Sequence, residues 1–249
     1  MSGHSKWSTI KRKKGAADAK RGQIFSKLSR AIIVAAKEGG PDPEANVTLA
    51  AAIQKARDNS MPKDTIERAI QRGAGGTEGE AYESIVYEGY GPGGVAVICT
   101  ILTDNRNRTA SDLRYIFTKN GGSLGTPGSV AWQFDRKGVV MVDQDGTDED
   151  RLMEIALESG AEDVAEDGSQ WQVTVDPTAF MELREALEAA DIGYASAELT
   201  MIPKTTVEPT EKEARQVLRL VDLLEENDDV QDVYANFDIS EEILEAVAG

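Results

Sequence analysis

The chain has 249 residues and is strongly acidic, with 27 Lys and Arg residues against 44 Asp and Glu residues and a formal net charge of −17. It contains no run of about 18 apolar residues and no apolar segment directly after a basic start, so neither a transmembrane helix nor a signal peptide is expected. A single cysteine excludes an internal disulfide framework, and with a single histidine it cannot form a His/Cys zinc site. We therefore expect a cytoplasmic protein without a metal ion or other cofactor.

The charge changes sign at the N-terminal end. The first 37 residues contain ten Lys and Arg residues and one acidic residue, Asp18. The rest of this acidic chain should have no general attraction to nucleic acid. A basic segment of this density therefore indicates a directed contact with phosphate groups.

Residues 1–20 have few large apolar side chains and predict a flexible arm. Its basic residues are Lys6 and the cluster Lys11, Arg12, Lys13 and Lys14. Trp7 beside Lys6 could stack on a nucleic-acid base, or it could pack onto the neighbouring helices as a core anchor. Both interpretations stay open for this residue.

A helix is predicted from Asp18 to the Gly39-Gly40-Pro41 segment. Its apolar side comprises Ile24, Phe25, Leu28, Ile32 and Ala35, and its basic residues are Lys20, Arg21, Lys27, Arg30 and Lys37. All of these cations except Arg21 lie opposite the apolar side, so the helix should bury one face and present a basic one. We assign Lys20, Arg21, Lys27 and Arg30 to the nucleic-acid contact together with the basic arm and Trp7.

Two shorter helices complete a predicted three-helix bundle. One should run from about 43 to 59 with Val47, Ala50, Ile53 and Ala56 inward, and the other from 62 to 72 with Ile66, Ala69 and Ile70 inward. Arm and bundle together form a predicted domain over residues 1–76.

The sequence then changes to an α+β pattern. Strands are predicted at 82–90, 95–102 and 130–134, with a helix ending at Lys119. Residues 135–204 follow the order β-α-β-β-α-β, which is that of a ferredoxin-like unit. Its predicted strands are 138–143, 161–166, 170–176 and 194–202, and its predicted helices are 148–159 and 177–190.

One more helix and strand follow residue 205. Thr210 and Glu213 have the spacing of a capping box, and the residues from Val233 to Ile239 alternate as in a strand. A lone α-β pair cannot bury its own faces, so we predict that 205–240 joins 82–134 in one discontinuous domain, with 135–204 inserted. The alternative is three sequential domains. The predicted fold class is α+β multidomain, with an N-terminal three-helix bundle and two α+β (ferredoxin-like) domains, one inserted in the other.

A second candidate phosphate contact lies at the start of the helix after the second strand. Asn105, Arg106, Asn107 and Arg108 place two guanidinium groups at a helix N-terminus, where free N–H groups favour an anion. Alternatively, Asp104 or Asn105 only caps the helix and the arginines pair with acidic neighbours.

No pattern in the sequence indicates an enzyme. Gly91-Pro92-Gly93-Gly94 is followed by a strand and lacks the Lys-Ser/Thr end of a P-loop. The acidic residues are scattered, as on a solvated surface. The segment 135–204 has 18 acidic and 5 basic residues, so it should avoid phosphate backbones.

Several motifs resemble the YebC/PmpR family, whose mitochondrial relative is the translational activator of cytochrome c oxidase subunit I. They are Gly3-His4-Ser5-Lys6-Trp7, Ala19-Lys20-Arg21-Gly22 with Ile24-Phe25, Tyr87 to Gly94, Thr103 to Thr109, and Gly121 to Gly125. The resemblance covers nearly the whole chain. It implies a helical domain followed by two α+β domains, in a cytoplasmic, non-enzymatic protein.

The resemblance also implies a role in gene expression. Family members are labelled transcriptional regulators that bind promoter DNA, and others act on the ribosome during synthesis through proline-rich or other stalling stretches. The sequence shows no clear recognition helix with base-reading residues at its start. We therefore predict a ribosome-associated translation factor that binds ribosomal or transfer RNA, with a DNA-binding transcriptional regulator as the alternative. A monomer without membrane contact is favoured.

Overall fold

The computed structural model describes residues 18–75, 82–240 and 243 of the chain. Within these ranges it contains seven α-helices and two four-stranded antiparallel sheets. The helices are α1 (Asp18–Gly39), α2 (Val47–Asp58), α3 (Lys63–Ala74), α4 (Arg106–Lys119), α5 (Glu149–Glu158), α6 (Phe180–Ala189) and α7 (Glu211–Glu226). The strands are β1 (Glu83–Tyr90), β2 (Ala96–Thr103), β3 (Ser123–Leu124), β4 (Phe134–Asp143), β5 (Ala161–Asp167), β6 (Gln170–Val175), β7 (Ser196–Pro203) and β8 (Val230–Ala235). The predicted α+β fold class with an N-terminal helical region is confirmed.

The helical region is a bundle of α1, α2 and α3 around a small apolar core. Gly40, at φ +89°, ends α1 in the left-handed conformation that favours glycine. The buried side chain of Asn46 then accepts a hydrogen bond from the Leu49 amide and donates to the Ala35 carbonyl, so it caps α2 and holds it to α1. The core includes Leu28, Ile32, Leu49, Ile53, Ala56, Ile66 and Ala69.

Two residues of the predicted bundle core were placed wrongly. Val47 is 78% exposed, because α2 begins there and its buried stripe starts at Leu49 instead. Ile24 is 43% exposed, because α1 has 22 residues against 12 in α2 and in α3, so its first turns extend beyond the helices that cover the rest.

The first sheet has the strand order β3-β1-β2-β8. Its two central strands form a hairpin, paired from Glu83 with Thr103 to Tyr90 with Ala96. The hairpin turn contains Gly93 at φ +71° and Gly94 at φ +79°, a conformation that residues with a Cβ rarely adopt. Helices α4 and α7 pack on one face of this sheet around Leu113, Phe117 and Leu218. Strand β8 therefore completes a sheet whose other strands lie more than a hundred residues earlier in the chain.

The second sheet has the order β5-β6-β4-β7, with α5 and α6 packed against one face. Its first and third strands in chain order, β4 and β6, are central, which is the ferredoxin-like arrangement. The first sheet differs, since a direct hairpin connects its central pair. The second sheet lies wholly within the predicted insertion, but the boundaries of the three predicted domains stay a prediction.

Most of the segment predicted as a strand at 130–134 does not form a strand. Residues Ala131–Gln133 form a 3-10 turn, and β4 begins at Phe134 and continues without a break to Asp143. The cause is Glu88, whose carboxylate accepts hydrogen bonds from the amides of Gly128, Val130 and Ala131 at 2.6, 2.7 and 2.8 Å. Amides that bond to a side chain cannot pair with a neighbouring strand.

Candidate nucleic-acid interface

The predicted basic arm lies outside the described residues. This applies to Lys6, Trp7, Lys11, Arg12, Lys13 and Lys14. Lys20 and Arg21 lie in the first turn of α1, but their side chains are not described either. Their assignment to a nucleic-acid contact stays a prediction.

Two basic residues of α1, Lys27 and Arg30, contact the protein's own body. Lys27 Nζ donates a hydrogen bond to the Glu225 carbonyl at 2.6 Å, and Arg30 Nη1 donates to the Asp228 carbonyl at 2.7 Å. One turn earlier, the Gln23 amide donates to the Glu226 carbonyl at 2.6 Å. The last carbonyls of a helix lack partners within it and carry the negative end of its dipole. Helix α1 therefore supplies donors to the C-terminal end of α7.

A buried carboxylate lies where these elements meet. Asp229, between α7 and β8, accepts hydrogen bonds through Oδ2 from Thr109 Oγ1 at 2.7 Å, Arg108 Nη2 at 2.9 Å and Thr103 Oγ1 at 3.2 Å. Its Oδ1 lies 3.4 Å from Arg30 Nη1. The side chain of Asp229 is 10% exposed. One carboxylate thus connects the bundle, the end of β2 and the start of α4.

The charges in this cluster shift one another's pKa values. Burial would raise the pKa of Asp229, but the hydrogen bonds from Arg108, Thr109 and Thr103 outweigh it and leave that pKa below its ordinary value. The hydrogen bond to Asp229, followed by the one to Asp104, raises the pKa of Arg108. Burial lowers the pKa of Lys27 despite the nearby carboxylates of Glu225 and Asp228. We call Asp229 and its partners Arg30, Thr103, Arg108 and Thr109 the Asp229 cluster, and its carboxylate is ionised at neutral pH.

The second predicted contact, residues 105–108, divides into two parts. Asn105 is the N-cap of α4 and accepts from the Arg108 amide at 3.1 Å, while the Arg108 guanidinium pairs with Asp104 at 2.7 Å and with Asp229. Helix capping and ion pairing are the roles that the sequence offered as the alternative to a phosphate contact. Arg106 and Asn107 are exposed, and Arg106 forms no ion pair with any residue that the structure describes. These two side chains remain available for a phosphate contact, which stays a prediction.

Two further ion pairs hold the bundle against the α+β body. Lys55 on α2 contacts Asp232 on β8 at 2.5 Å, and Arg184 on α6 lies 3.4 Å from Asp58 at the end of α2. Arg184 is almost fully buried and its guanidinium also donates to the Tyr194 hydroxyl at 2.7 Å. The bundle thus contacts both the first sheet and the ferredoxin-like unit. No pattern in the sequence indicated these partners, because each pair joins residues more than a hundred positions apart.

Neither a metal site nor a membrane span is found in the same part of the chain. Among residues 18–75 and 82–240, no group of three His, Cys, Asp or Glu side chains is placed to hold a metal ion. None of the helices there has the length and apolar character needed to cross a membrane.

Comparison with known proteins identifies the family. Residues 5–76 match the TACO1/YebC protein N-terminal domain, and residues 82–237 match the TACO1/YebC second and third domain. The chain belongs to the TACO1/YebC family. The resemblance seen in the sequence motifs is therefore confirmed.

Curated TACO1/YebC relatives match over their whole length. A protein of Rubrobacter xylanophilus is 66% identical, with 100% of both chains covered, and one of Geotalea uraniireducens is 58% identical, with 98% of this chain and 99% of the relative covered. Both are named probable transcriptional regulatory proteins. Among solved structures, a conserved hypothetical protein from Aquifex aeolicus matches with a TM-score of 0.80 at 48% identity, covering 91% of this chain and 94% of that one.

Proposed function

We propose that this family member is a nucleic-acid-binding regulator of gene expression that acts as a ribosome-associated translation factor in the cytoplasm. In this proposal it relieves stalls such as those at proline-rich stretches, and its partner is ribosomal or transfer RNA. The proposal rests on a difference between two parts of the basic segment. Lys27 and Arg30 fasten α1 to the acidic body, so the phosphate contact falls to the basic residues that precede Gln23.

This arrangement suits a docking protein. An acidic body repels phosphate backbones everywhere except where a concentrated basic segment approaches them. The ferredoxin-like unit, with its excess of carboxylates, then faces away from RNA and is suited to contact protein or to act as a spacer. Single-stranded RNA also offers unstacked bases, for which Trp7 is a suitable stacking partner.

The alternative is a promoter-binding transcriptional regulator, which the names of the curated relatives favour. A helix that reads base edges presents the side chains of its first turns to the major groove. Helix α3, on the surface of the bundle, begins with Lys63 and Asp64, and Lys63 pairs with Glu67 at 3.8 Å. The first turn of α3, Lys63 to Ile66, contains no Asn, Gln or Arg side chain to read base edges. Helix α2 begins at the buried Asn46 cap. The bundle geometry therefore favours the RNA proposal.

The proposal is tested by UV crosslinking in cells followed by sequencing of the bound nucleic acid. We expect ribosomal or transfer RNA to be recovered with the wild-type chain and to be lost when Lys11, Arg12, Lys13 and Lys14 are changed to alanine. A control with Lys119, Lys204, Lys212 and Arg219 changed to alanine removes the same charge from the exposed body surface. Recovery of promoter DNA without these RNAs would contradict the translation proposal and support the alternative.

A further inference from the structure

A groove runs along the bundle between α1 and α3, and its α3 side consists of residues that the predicted site did not include. Its larger part has a volume of about 470 Å³, and a second part of about 280 Å³ continues toward the start of β1. The two parts share Ser29, Ile33 and Arg72. We call this the α1–α3 groove; its remaining lining residues are Ser26, Arg30, Thr65, Arg68, Ala69 and Tyr82.

The floor of the groove is set by a close approach of two helices. A Cβ atom at Gly73 would lie 2.5 Å from the Ile33 carbonyl oxygen and 2.7 Å from the Ala36 Cβ, so only glycine permits this spacing. Ala69 on α3 is buried and Ile33 on α1 is half-buried beside it. The floor is therefore apolar and is fixed by backbone packing.

The rim of the groove is basic. Arg68 and Arg72 are one turn apart on α3 and both are exposed. Arg68 Nε donates to the Asp64 carbonyl at 3.0 Å, which holds its guanidinium along the rim beside Thr65. Neither arginine forms an ion pair with any residue in the described part of the chain. Each of these guanidinium groups can bind a phosphate through two parallel hydrogen bonds.

The end of the groove combines a cation with an aromatic ring. The Arg30 guanidinium lies 5.2 Å from the centre of the Tyr82 ring, and its hydrogen bonds to Leu102, Asp228 and Asp229 all use Nη1. Arg30 is thus fixed by the Asp229 cluster on one side while it lines the groove on the other. A half-buried Tyr beside a fixed Arg plane, over an apolar floor, suits an unstacked base.

We propose that the α1–α3 groove binds a segment of single-stranded RNA, with Arg68 and Arg72 on successive phosphates and a base beside Tyr82 and Arg30. This rests on the proposed function and assigns it a second contact on the folded bundle, in addition to the basic arm. The chemistry favours RNA over an acidic peptide because the groove pairs guanidinium groups with an apolar, aromatic surface.

The test measures binding of a fluorescein-labelled oligouridine of 12 nucleotides to the full chain by fluorescence anisotropy over a range of salt concentrations. The variant R68A/R72A should bind at least about tenfold more weakly, and its plot of log affinity against log salt should be shallower by about 1.4, or about 0.7 for each phosphate that an arginine no longer neutralises. The control R57A/R114A removes two exposed arginines elsewhere and should behave as the wild type. R68Q/R72Q repeats the test with uncharged polar side chains that are longer than alanine.

The outcomes separate the groove from the arm. If R68A/R72A and R68Q/R72Q bind as tightly as the control while the arm variant has lost binding, the groove proposal is wrong and the proposed function stands. If both groove variants lose affinity at an unchanged melting temperature, the groove is supported, whatever the arm variant shows. Absence of RNA binding by the wild-type chain would overturn the groove and the proposed RNA contact together.

Discussion

Arg30 and Asp229 lie 199 positions apart in the chain, and their side chains meet with Nη1 3.4 Å from Oδ1. The same guanidinium donates to the carbonyls of Leu102 and Asp228, and the same carboxylate accepts from Arg108 and Thr109. This one contact joins the two regions that the sequence assigned to phosphate binding. The basic face of α1 and the start of α4 are thus connected through a shared acidic partner.

Asp229→Asn should lower the free energy of unfolding by about 2–3 kcal/mol, because it removes the charge from a buried acceptor of several hydrogen bonds. The folded state lowers the pKa of Asp229, so its contribution is complete above the ordinary aspartate pKa of about 3.9 and is lost as the pH falls through the lower, folded-state value. Urea unfolding at several pH values measures the free energy of unfolding of the wild-type chain and of Asp229→Asn. The difference between these two free energies should shrink below about pH 4. The exposed neighbour Asp228 is the control, and Asp228→Asn should change stability by less than about 0.5 kcal/mol. Equal effects of the two substitutions would contradict the role given to Asp229.

Glu88→Gln should destabilise the loop that leads from the first sheet into β4. Burial would raise the pKa of Glu88, but the amides of Gly128, Val130 and Ala131 lower it overall, so the ionised form is the one that holds the loop. The neutral amide presents an NH₂ group to these donors, and we expect a loss of about 1–3 kcal/mol. Hydrogen exchange of the Gly128, Val130 and Ala131 amides should become faster. Glu83→Gln, at an exposed position of the same strand, should leave that exchange unchanged.

Gly73→Ala tests the helix spacing under the α1–α3 groove. The added methyl group would meet the Ile33 carbonyl, and overpacking of this kind costs about 1–3 kcal/mol. Gly22→Ala, in α1 with no atom within 4 Å of the new Cβ, should instead stabilise by up to about 1 kcal/mol. Thermal unfolding of the two variants should therefore shift in opposite directions, and a shift in the same direction would argue against the close approach.

Cys99 should be chemically inert in the folded chain. It is fully buried in β2, and burial raises the pKa of its thiol to about 12, so the thiolate that reacts with alkylating agents is scarce at about pH 8. Iodoacetamide should label the native chain only at the rate of its opening, and should label it at once in concentrated guanidinium chloride, as mass spectrometry would show. In a Cys99→Ser background, Ser26→Cys on the exposed side of α1 should react without denaturant. Rapid labelling of native Cys99 would show that the first sheet opens readily.

Changing Lys11, Arg12, Lys13 and Lys14 to alanine should weaken RNA binding strongly and leave the melting temperature nearly unchanged, since solvated surface residues contribute within about 0.5 kcal/mol. If each contacts a phosphate of a single strand, the salt dependence should become shallower by about 2.8. Anisotropy with the labelled oligouridine measures the binding, and the body variant with Lys119, Lys204, Lys212 and Arg219 changed is the control. A large fall in melting temperature would show that the cluster is structural.

Much of the fold could be predicted because its signals are local. The capping box of Thr210 and Glu213 appears as expected at the start of α7, and the order of elements in the ferredoxin-like unit follows from hydrophobic period alone. The prediction of a strand at 130–134 was wrong because a distant residue, Glu88, binds the amides of that segment. The predictions for Val47 and Ile24 were wrong because the point where a helix begins and the length of its neighbours decide which of its turns are buried. The neighbouring residues do not determine which segment packs on a helix turn, or which carboxylate accepts a hydrogen bond from a backbone amide.

The candidate site divides in the same way. The residues alone indicated that positive charge is concentrated at one end of an acidic chain, and the motifs among them indicated the family. Contacts in the folded chain were needed to show that Lys27, Arg30 and Arg108 bond to carbonyls and carboxylates of distant segments, and that Arg68 and Arg72 line a groove. A charge count establishes the sign and number of the cations, but their partners depend on which distant segments the fold brings together.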